Sequence, residues 1–210
     1  MNHGQVPSLS VARLFFAWLV FFAAAVRGSR AKVYAETSDE ELMRLYSAGD
    51  PGAFDAIFTR YGGMLLAYLE RQLFRRDEAA DLLQDVFLQV HRARADYDPS
   101  RPFRPWIYTV ARNLLRDHFR RVGRKREVNV GEGLELHPDE GVAEPLQALV
   151  AEEVRAALAT LPDDQRDAIV LHWLEGFSFP EVAEIVGAKL SAVKVRAHRG
   201  YRSLAKRLER

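Results

Sequence analysis

Between Ser178 and Arg199 the chain reads SFPEVAEIVGAKLSAVKVRAHR, a run in which local physics leaves few options: a capped helix, a glycine turn and a second, basic helix. Ser178 and Glu181 form an S-x-x-E capping box with Pro180 inside the first turn, and Val182, Ile185 and Val186 follow as the apolar stripe. Gly187 stands where the backbone must leave the helix with positive φ. Val193 and Ala197 lie four residues apart on the inner face of the second helix, and small Ala183 lets the pair cross closely. A helix-turn-helix is the expectation, with the DNA major groove as its ligand. Taken by itself, the segment is also compatible with small core helices carrying a solvated basic face.

The distribution of charge says more than its total. The chain of 210 residues carries a formal charge of only +1. From Arg101 to Arg126, however, nine Lys/Arg stand against Asp117 alone, a local +8, and from Lys189 to Arg210 eight stand against Glu209, a local +7. The remainder is therefore near −14. Two basic segments on an acidic chain predict two separate polyanion-binding faces. The length suits two small domains, each burying its own core.

Cysteine is absent, which excludes disulfides, thiolate catalysis and Cys-based zinc sites and fits a cytoplasmic protein. The histidines (His3, His91, His118, His137, His172 and His198) show no metal-ligand spacing, so no metal or cofactor is expected. Leu14 to Val26 is a run of thirteen apolar residues, preceded by Arg13 and followed by Arg27 and Arg30. It is short of the roughly twenty residues that cross a bilayer, and has the look of the apolar part of a signal peptide. Three readings stand for residues 1–37: a start codon assigned too far upstream, a membrane-associated anchor through residues 11–26, or a helix packed on the body.

The body opens at Ser38-Asp39-Glu40-Glu41, another S-x-x-E cap, and helical patterning runs on almost unbroken to Arg121. Phe54, Ile57, Phe58 and Tyr61 recur at spacings of three and four, as do Leu65, Leu69 and Leu73, and no stretch alternates with period two. The fold class is therefore all-α. After Val122 the pattern stops: four glycines, two prolines and, from Glu127 to Glu144, six acidic residues without Lys or Arg form a linker over residues 123–145. Helical periodicity resumes with Leu149, Val150, Val154, Ala157, Leu158 and Leu161, and a helix from Asp163 to Glu175 stops at Gly176. The expected domains are thus residues 38–122 and 146–210.

In FRPWIYTVARNLLRDHFRR, Phe103 to Arg121, the residues Ile107, Val110, Ala111 and Leu114 form the inner stripe, while Thr109, Arg112, Asn113, Arg116 and Arg120 line a face able to follow a phosphate backbone. The loop ADYDPSRP precedes it, and Tyr97, Phe103, Trp106 and Tyr108 offer π surfaces suited to unstacked bases, unless they simply belong to the core. In DLLQDVFLQV, Leu82, Leu83, Val86, Phe87 and Val90 face inward. Asp81, Gln84, Asp85 and Leu88 are left together on another side, either a solvated face or a helix-docking surface.

These three constellations in this order, DLLQDVF, RPFRPWIYTVARN and the C-terminal helix-turn-helix, resemble the extracytoplasmic-function sigma factors of the sigma-70 family, over roughly Asp39 to Leu208. The resemblance implies a non-catalytic subunit of bacterial RNA polymerase with two helical domains, regions 2 and 4. It implies that Asp81, Gln84, Asp85 and Leu88 dock on the clamp helices of the largest polymerase subunit. It implies that Tyr97, Phe103, Trp106, Tyr108, Thr109, Arg112, Asn113, Arg116 and Arg120 recognise and help melt the minus-10 element, holding a flipped non-template base. Ser191, Lys194, Val195, Arg196, His198 and Arg199 would contact the minus-35 element, with Arg196 packing or reaching phosphate. An anti-sigma factor is an implied partner; a small-molecule substrate is not. Where the family has a small polar cap before its recognition helix this chain has Lys189 and Leu190, so Ser191 is placed to cap one turn later, and Val195 replaces a commonly polar contact.

Two other functions compete. A self-sufficient helix-turn-helix repressor or activator would bind duplex DNA without polymerase and would have no use for the Asp81 to Leu88 face. A nucleic-acid-processing enzyme would need a P-loop, a paired-carboxylate metal motif or a nucleophile constellation, none of which the sequence contains.

Overall fold

A computed structural model describes residues 34–128 and 145–208. The apolar segment Leu14–Val26 and most of the acidic linker lie outside the described residues. All the regular structure described is helical, in two units. The first contains α1 (Asp39–Ser47), α2 (Pro51–Leu73), α3 (Arg76–Ala93) and α4 (Phe103–Val128). The second contains α5 (Pro145–Ala159), α6 (Asp163–Ile169) running into a π-helical turn (Val170–Leu174), α7 (Phe179–Val186) and α8 (Leu190–Leu208).

The helix starts follow local chemistry. Ser38 Oγ accepts from Glu41 N at 3.2 Å to open α1, and Asp50 Oδ1 accepts from Gly52 N at 2.9 Å ahead of Pro51 in α2. The start of α4 is capped from outside: Glu40 of α1 accepts from Phe103 N at 2.9 Å. A cap donated by a distant helix has no local sequence signature. α2 ends on Phe74, a non-glycine residue at φ 58°, and the backbone there turns sharply enough to aim its carbonyl at the second unit.

The periodic apolar residues form the core. Ile57, Leu65, Leu69, Val86, Val90, Ile107 and Ala111 are completely buried. α4 continues through Val128, six residues beyond Val122. Arg, Lys and Glu are good helix formers, and the single Gly123 costs only about 1 kcal/mol, too little to stop an established helix. In the second unit Val182, Ile185, Val193 and Ala197 close the core beneath the helix-turn-helix, with Ile169, Val170 and Leu171 below. Gly200 permits a close approach of α8 to α6: a Cβ there would meet Ile169 Cγ1 at 3.1 Å and the Gln165 backbone oxygen at 3.4 Å.

The two units touch. α4 packs on α7, and Tyr108 is sandwiched edge-on between Tyr68 of α2, at 5.3 Å between ring centroids, and Phe177, at 4.9 Å.

Candidate nucleic-acid interface

The capping box forms as expected, with Ser178 N donating to Glu181 Oε2 at 2.8 Å and Glu181 N to Ser178 Oγ at 3.5 Å. The hydrogen bonds from the Ser178 hydroxyl and backbone hold the Glu181 carboxyl below its ordinary range. Gly187 takes φ 63° and ψ 42°, the left-handed exit that its position requires. Its N–H and that of Ala188 return to the carbonyls ending α7, at 3.2 and 3.0 Å.

One expectation about α8 is corrected. The helix begins at Leu190, with Val193 N donating to Lys189 O at 3.1 Å, so Ser191 lies inside the first turn instead of capping it. Val193, three residues on from Leu190, is drawn into the core, and this fixes the register of the helix ahead of any side-chain cap. Ser191, Lys194, Val195, His198 and Arg199 are all exposed and share one side of α8. Arg196 points elsewhere: its Nε is 3.1 Å from Asp164 Oδ2 of α6, so in this structure it braces the two helices.

On α3 the division by face is clean. Leu82, Leu83, Val86, Phe87 and Val90 are buried, Asp81 and Asp85 exposed, and Gln84 and Leu88 half-buried beside them. The outer four follow one another at i, i+3, i+4 and i+7 along one side of the helix, the carboxylates toward its N-terminal end and Leu88 last.

α4 differs more from expectation. Phe103 and Tyr108 are completely buried and Tyr97 nearly so, so none of them presents a free π face in this conformation. Phe103, Ile107 and Ala111 succeed one another at i, i+4 and i+8, and Tyr108, Ala111 and Leu115 at i, i+3 and i+7, which places both aromatics on the core stripe. Leu115 is more deeply buried than Leu114. Trp106 is half-buried and packs edge-on against Tyr97 at 5.0 Å. The loop beneath it is closed by its own hydrogen bonds: Tyr97 donates to Arg101 O at 2.6 Å and Ser100 N to Asp98 Oδ1 at 2.9 Å. Burial pushes the Tyr97 hydroxyl up to about 12. Thr109 donates back to Pro105 O at 2.9 Å, Arg112 is ion-paired to Asp167 at 2.9 Å, and Asn113, Arg116 and Arg120 face outward.

Arg71, Gln72, Arg166, Asp167, Glu175 and Phe177 line the seam between the units without a local sequence signature. A charged residue ordinarily signals solvent, yet packing at the seam buries Arg166, Asp167 and Glu175 and half-buries Arg71. Burial holds the Asp167 carboxyl above its ordinary range, against the opposing pull of Arg112.

The fold and its separated basic faces define a two-domain, all-helical nucleic-acid-binding protein whose second domain carries a helix-turn-helix. Residues 57–125 match the family model for Sigma-70 region 2, and residues 151–204 that for Sigma-70, region 4. The chain is 34% identical over 164 residues to RNA polymerase sigma factor CarQ of Myxococcus xanthus, covering 77% of this chain and 92% of CarQ. It is 34% identical over 176 residues to ECF RNA polymerase sigma factor SigF of Caulobacter vibrioides, covering 83% and 96%. The sigma factor RpoE from Bartonella quintana, solved in complex with the anti-sigma factor NepR, is 26% identical with a TM-score of 0.64 over 74% of this chain and 96% of that one. The chain belongs to the extracytoplasmic-function RNA polymerase sigma factors of the sigma-70 family. It is thus a promoter-directing subunit that acts with RNA polymerase, and the reading as a self-sufficient regulator is set aside.

Proposed function

We propose that the chain divides initiation between its domains, residues 38–122 docking on core polymerase and opening the minus-10 element and residues 146–210 holding the minus-35 element, with residues 123–145 as the connection. The observation that carries this reading is the presence of three outward faces of different chemistry on three different helices. The acidic and apolar face of α3, through Asp81, Gln84, Asp85 and Leu88, suits a protein helix rather than DNA. The α4 face, with Asn113, Arg116 and Arg120 beyond the Trp106 loop, suits a phosphate backbone next to an unstacked base. On α8, Ser191, Lys194, Val195, His198 and Arg199 suit a major groove.

Phosphate contacts supply salt-dependent affinity, and the few side chains at base edges supply specificity. Unpairing costs a few kcal/mol per flipped base, offset by stacking in a pocket. Trp106, packed on Tyr97 and Phe103, offers the stacking face for such a base, with Thr109 one turn farther along α4. Joining two weak DNA-binding units raises the effective concentration of the second once the first is engaged. No group of the chain is called on for catalysis, and the work takes place in the cytoplasm, where promoter and polymerase meet. An anti-sigma partner is supported by the likeness to RpoE, solved with NepR.

The test is reconstitution. The full chain, and the chain lacking residues 1–37, are mixed with sigma-free core polymerase and a pool of genomic fragments, and run-off transcripts are sequenced. Defined start sites sharing two upstream elements are expected from both proteins. Loss of core binding together with absence of transcripts would remove the assignment of the α3 face.

A further inference from the structure

Among the described residues, the Phe, Tyr and Trp side chains are buried or half-buried except two, Trp173 and Tyr201, which are 62% and 59% exposed. They come from different elements of the second domain, the π-helical turn and α8, and their rings are inclined by only 28° with centroids 6.4 Å apart. Packing fixes both. Gly200 brings α8 against Ile169 and Gln165 of α6, which sets Tyr201 beside the turn that follows α6. Glu175 N donates to Val170 O at 2.9 Å and closes the wide turn that carries Trp173. His172 donates from Nδ1 to Phe177 O at 2.6 Å, stacks on Phe179 at 3.9 Å and meets the Trp173 ring edge-on at 5.2 Å. Two exposed rings are thus held ready side by side, on residues that none of the three faces described above uses.

We propose that Trp173 and Tyr201 form a stacking platform for unpaired bases, with single-stranded RNA as its ligand. Exposed rings of this size suit either a protein partner or a nucleobase, and the charge beside them selects the nucleobase. From Leu190 to Leu208 α8 carries no Asp or Glu, whereas Arg199, Arg202, Lys206 and Arg207 are exposed on the turns around Tyr201. That field attracts a polyanion. Arg202 follows Tyr201 directly, so a strand whose phosphates meet the arginine brings its bases to the rings. Duplex DNA has no use for the platform, because its bases are already stacked on one another. The platform is also distinct from groove reading, since Ser191 and Lys194 lie about two to three turns back along α8. Of the strands present at initiation, DNA returns to duplex outside the melted element, while the transcript stays single once it leaves the enzyme. RNA is therefore the occupant that the chemistry of the reaction supplies.

The platform stands apart from the single-strand face proposed on α4, and a probe on Trp173 itself separates the two. The chain has three tryptophans, Trp18, Trp106 and Trp173, so fluorotryptophan labelling gives the full-length protein three fluorine resonances, assigned with Trp106→Phe and Trp173→Phe. An unstructured RNA of about ten nucleotides should shift the Trp173 resonance, and duplex DNA of unrelated sequence should leave it in place. Tyr201→Ala should weaken the RNA titration of that resonance about tenfold at fixed salt, whereas Tyr201→Phe, which keeps the ring, should titrate like the parent. Tyr201 is exposed, so thermal unfolding of both variants should match the parent. In the reconstituted holoenzyme, a transcript carrying thiouridine near its first-made end should crosslink to the second domain, and Trp173→Ala should lose that crosslink. A Trp173 resonance that ignores RNA while Trp106 responds, or that moves only with core polymerase, would overturn the platform. A crosslink confined to thio-substituted promoter DNA would overturn RNA as its ligand.

Discussion

At the scale of single residues, the helix-turn-helix depends on a few polar atoms whose roles differ. Ser178 satisfies an amide at the start of α7 that has no partner within the helix, so Ser178→Ala should cost about 1 kcal/mol in chemical denaturation. Glu181 answers it, and its lowered carboxyl pKa sets a sign: the stabilisation is complete above the ordinary carboxylate range and disappears as pH falls through the depressed folded value. Acid unfolding of Glu181→Gln should accordingly show a weaker pH dependence at the acid end than the parent protein. On the proposed groove side, Lys194→Ala should weaken promoter binding by the holoenzyme evenly across sequences and reduce the salt slope by about one unit, as loss of one phosphate contact does. Val195 is exposed in the middle of that face and has no side-chain hydrogen-bonding group, so it can read only apolar features such as a thymine methyl. Val195→Gln should change the preferred minus-35 sequence in a selection experiment, and an unchanged preference would move base readout to His198 and Arg199.

The helices show which expectations periodicity can support. α3 separated its faces as its sequence pattern required, because i, i+3 and i+4 spacing dictates which side chains share a side wherever the helix lies. Leu88→Asp on its outer face should therefore lower core-polymerase affinity and leave thermal unfolding nearly unchanged. Val86→Ala on the inner face should destabilise the domain by about 1 to 3 kcal/mol through lost burial and a residual cavity. α4 was harder to read. Its inner stripe was visible, but the same spacing also draws Phe103 and Tyr108 inward, and composition suggested stacking platforms where the helix needed core. The cap from Glu40 and the close approach at Gly200 left no local trace, since each depends on a helix distant in sequence or on the crossing of α8 over α6. Gly200→Val should cost roughly 1 to 3 kcal/mol by overpacking against Ile169, measurable as a lowered unfolding midpoint.

At the scale of the whole molecule, initiation requires the chain to hold two DNA elements and one protein partner at once, and the affinities should reflect that. The free protein should bind promoter DNA weakly and the holoenzyme strongly, a contrast measurable by titration at fixed salt, because polymerase supplies the scaffold that makes the second contact intramolecular. The sequence alone determined the helical class, the capped helix-turn-helix with its positive-φ glycine, the inner and outer faces of α3 and the separation of the basic segments. All of these are consequences of periodicity, capping and charge within a few turns of chain. Only the tertiary structure decided that Arg104, Tyr108 and Arg112 face Glu175, Asp167 and Phe177. Whether a charged side chain meets solvent, DNA or another carboxylate depends on what lies across a seam between segments dozens of residues apart. No local pattern carries that information, since a surface arginine and a buried, paired one occupy identical places on a helix until their surroundings are known.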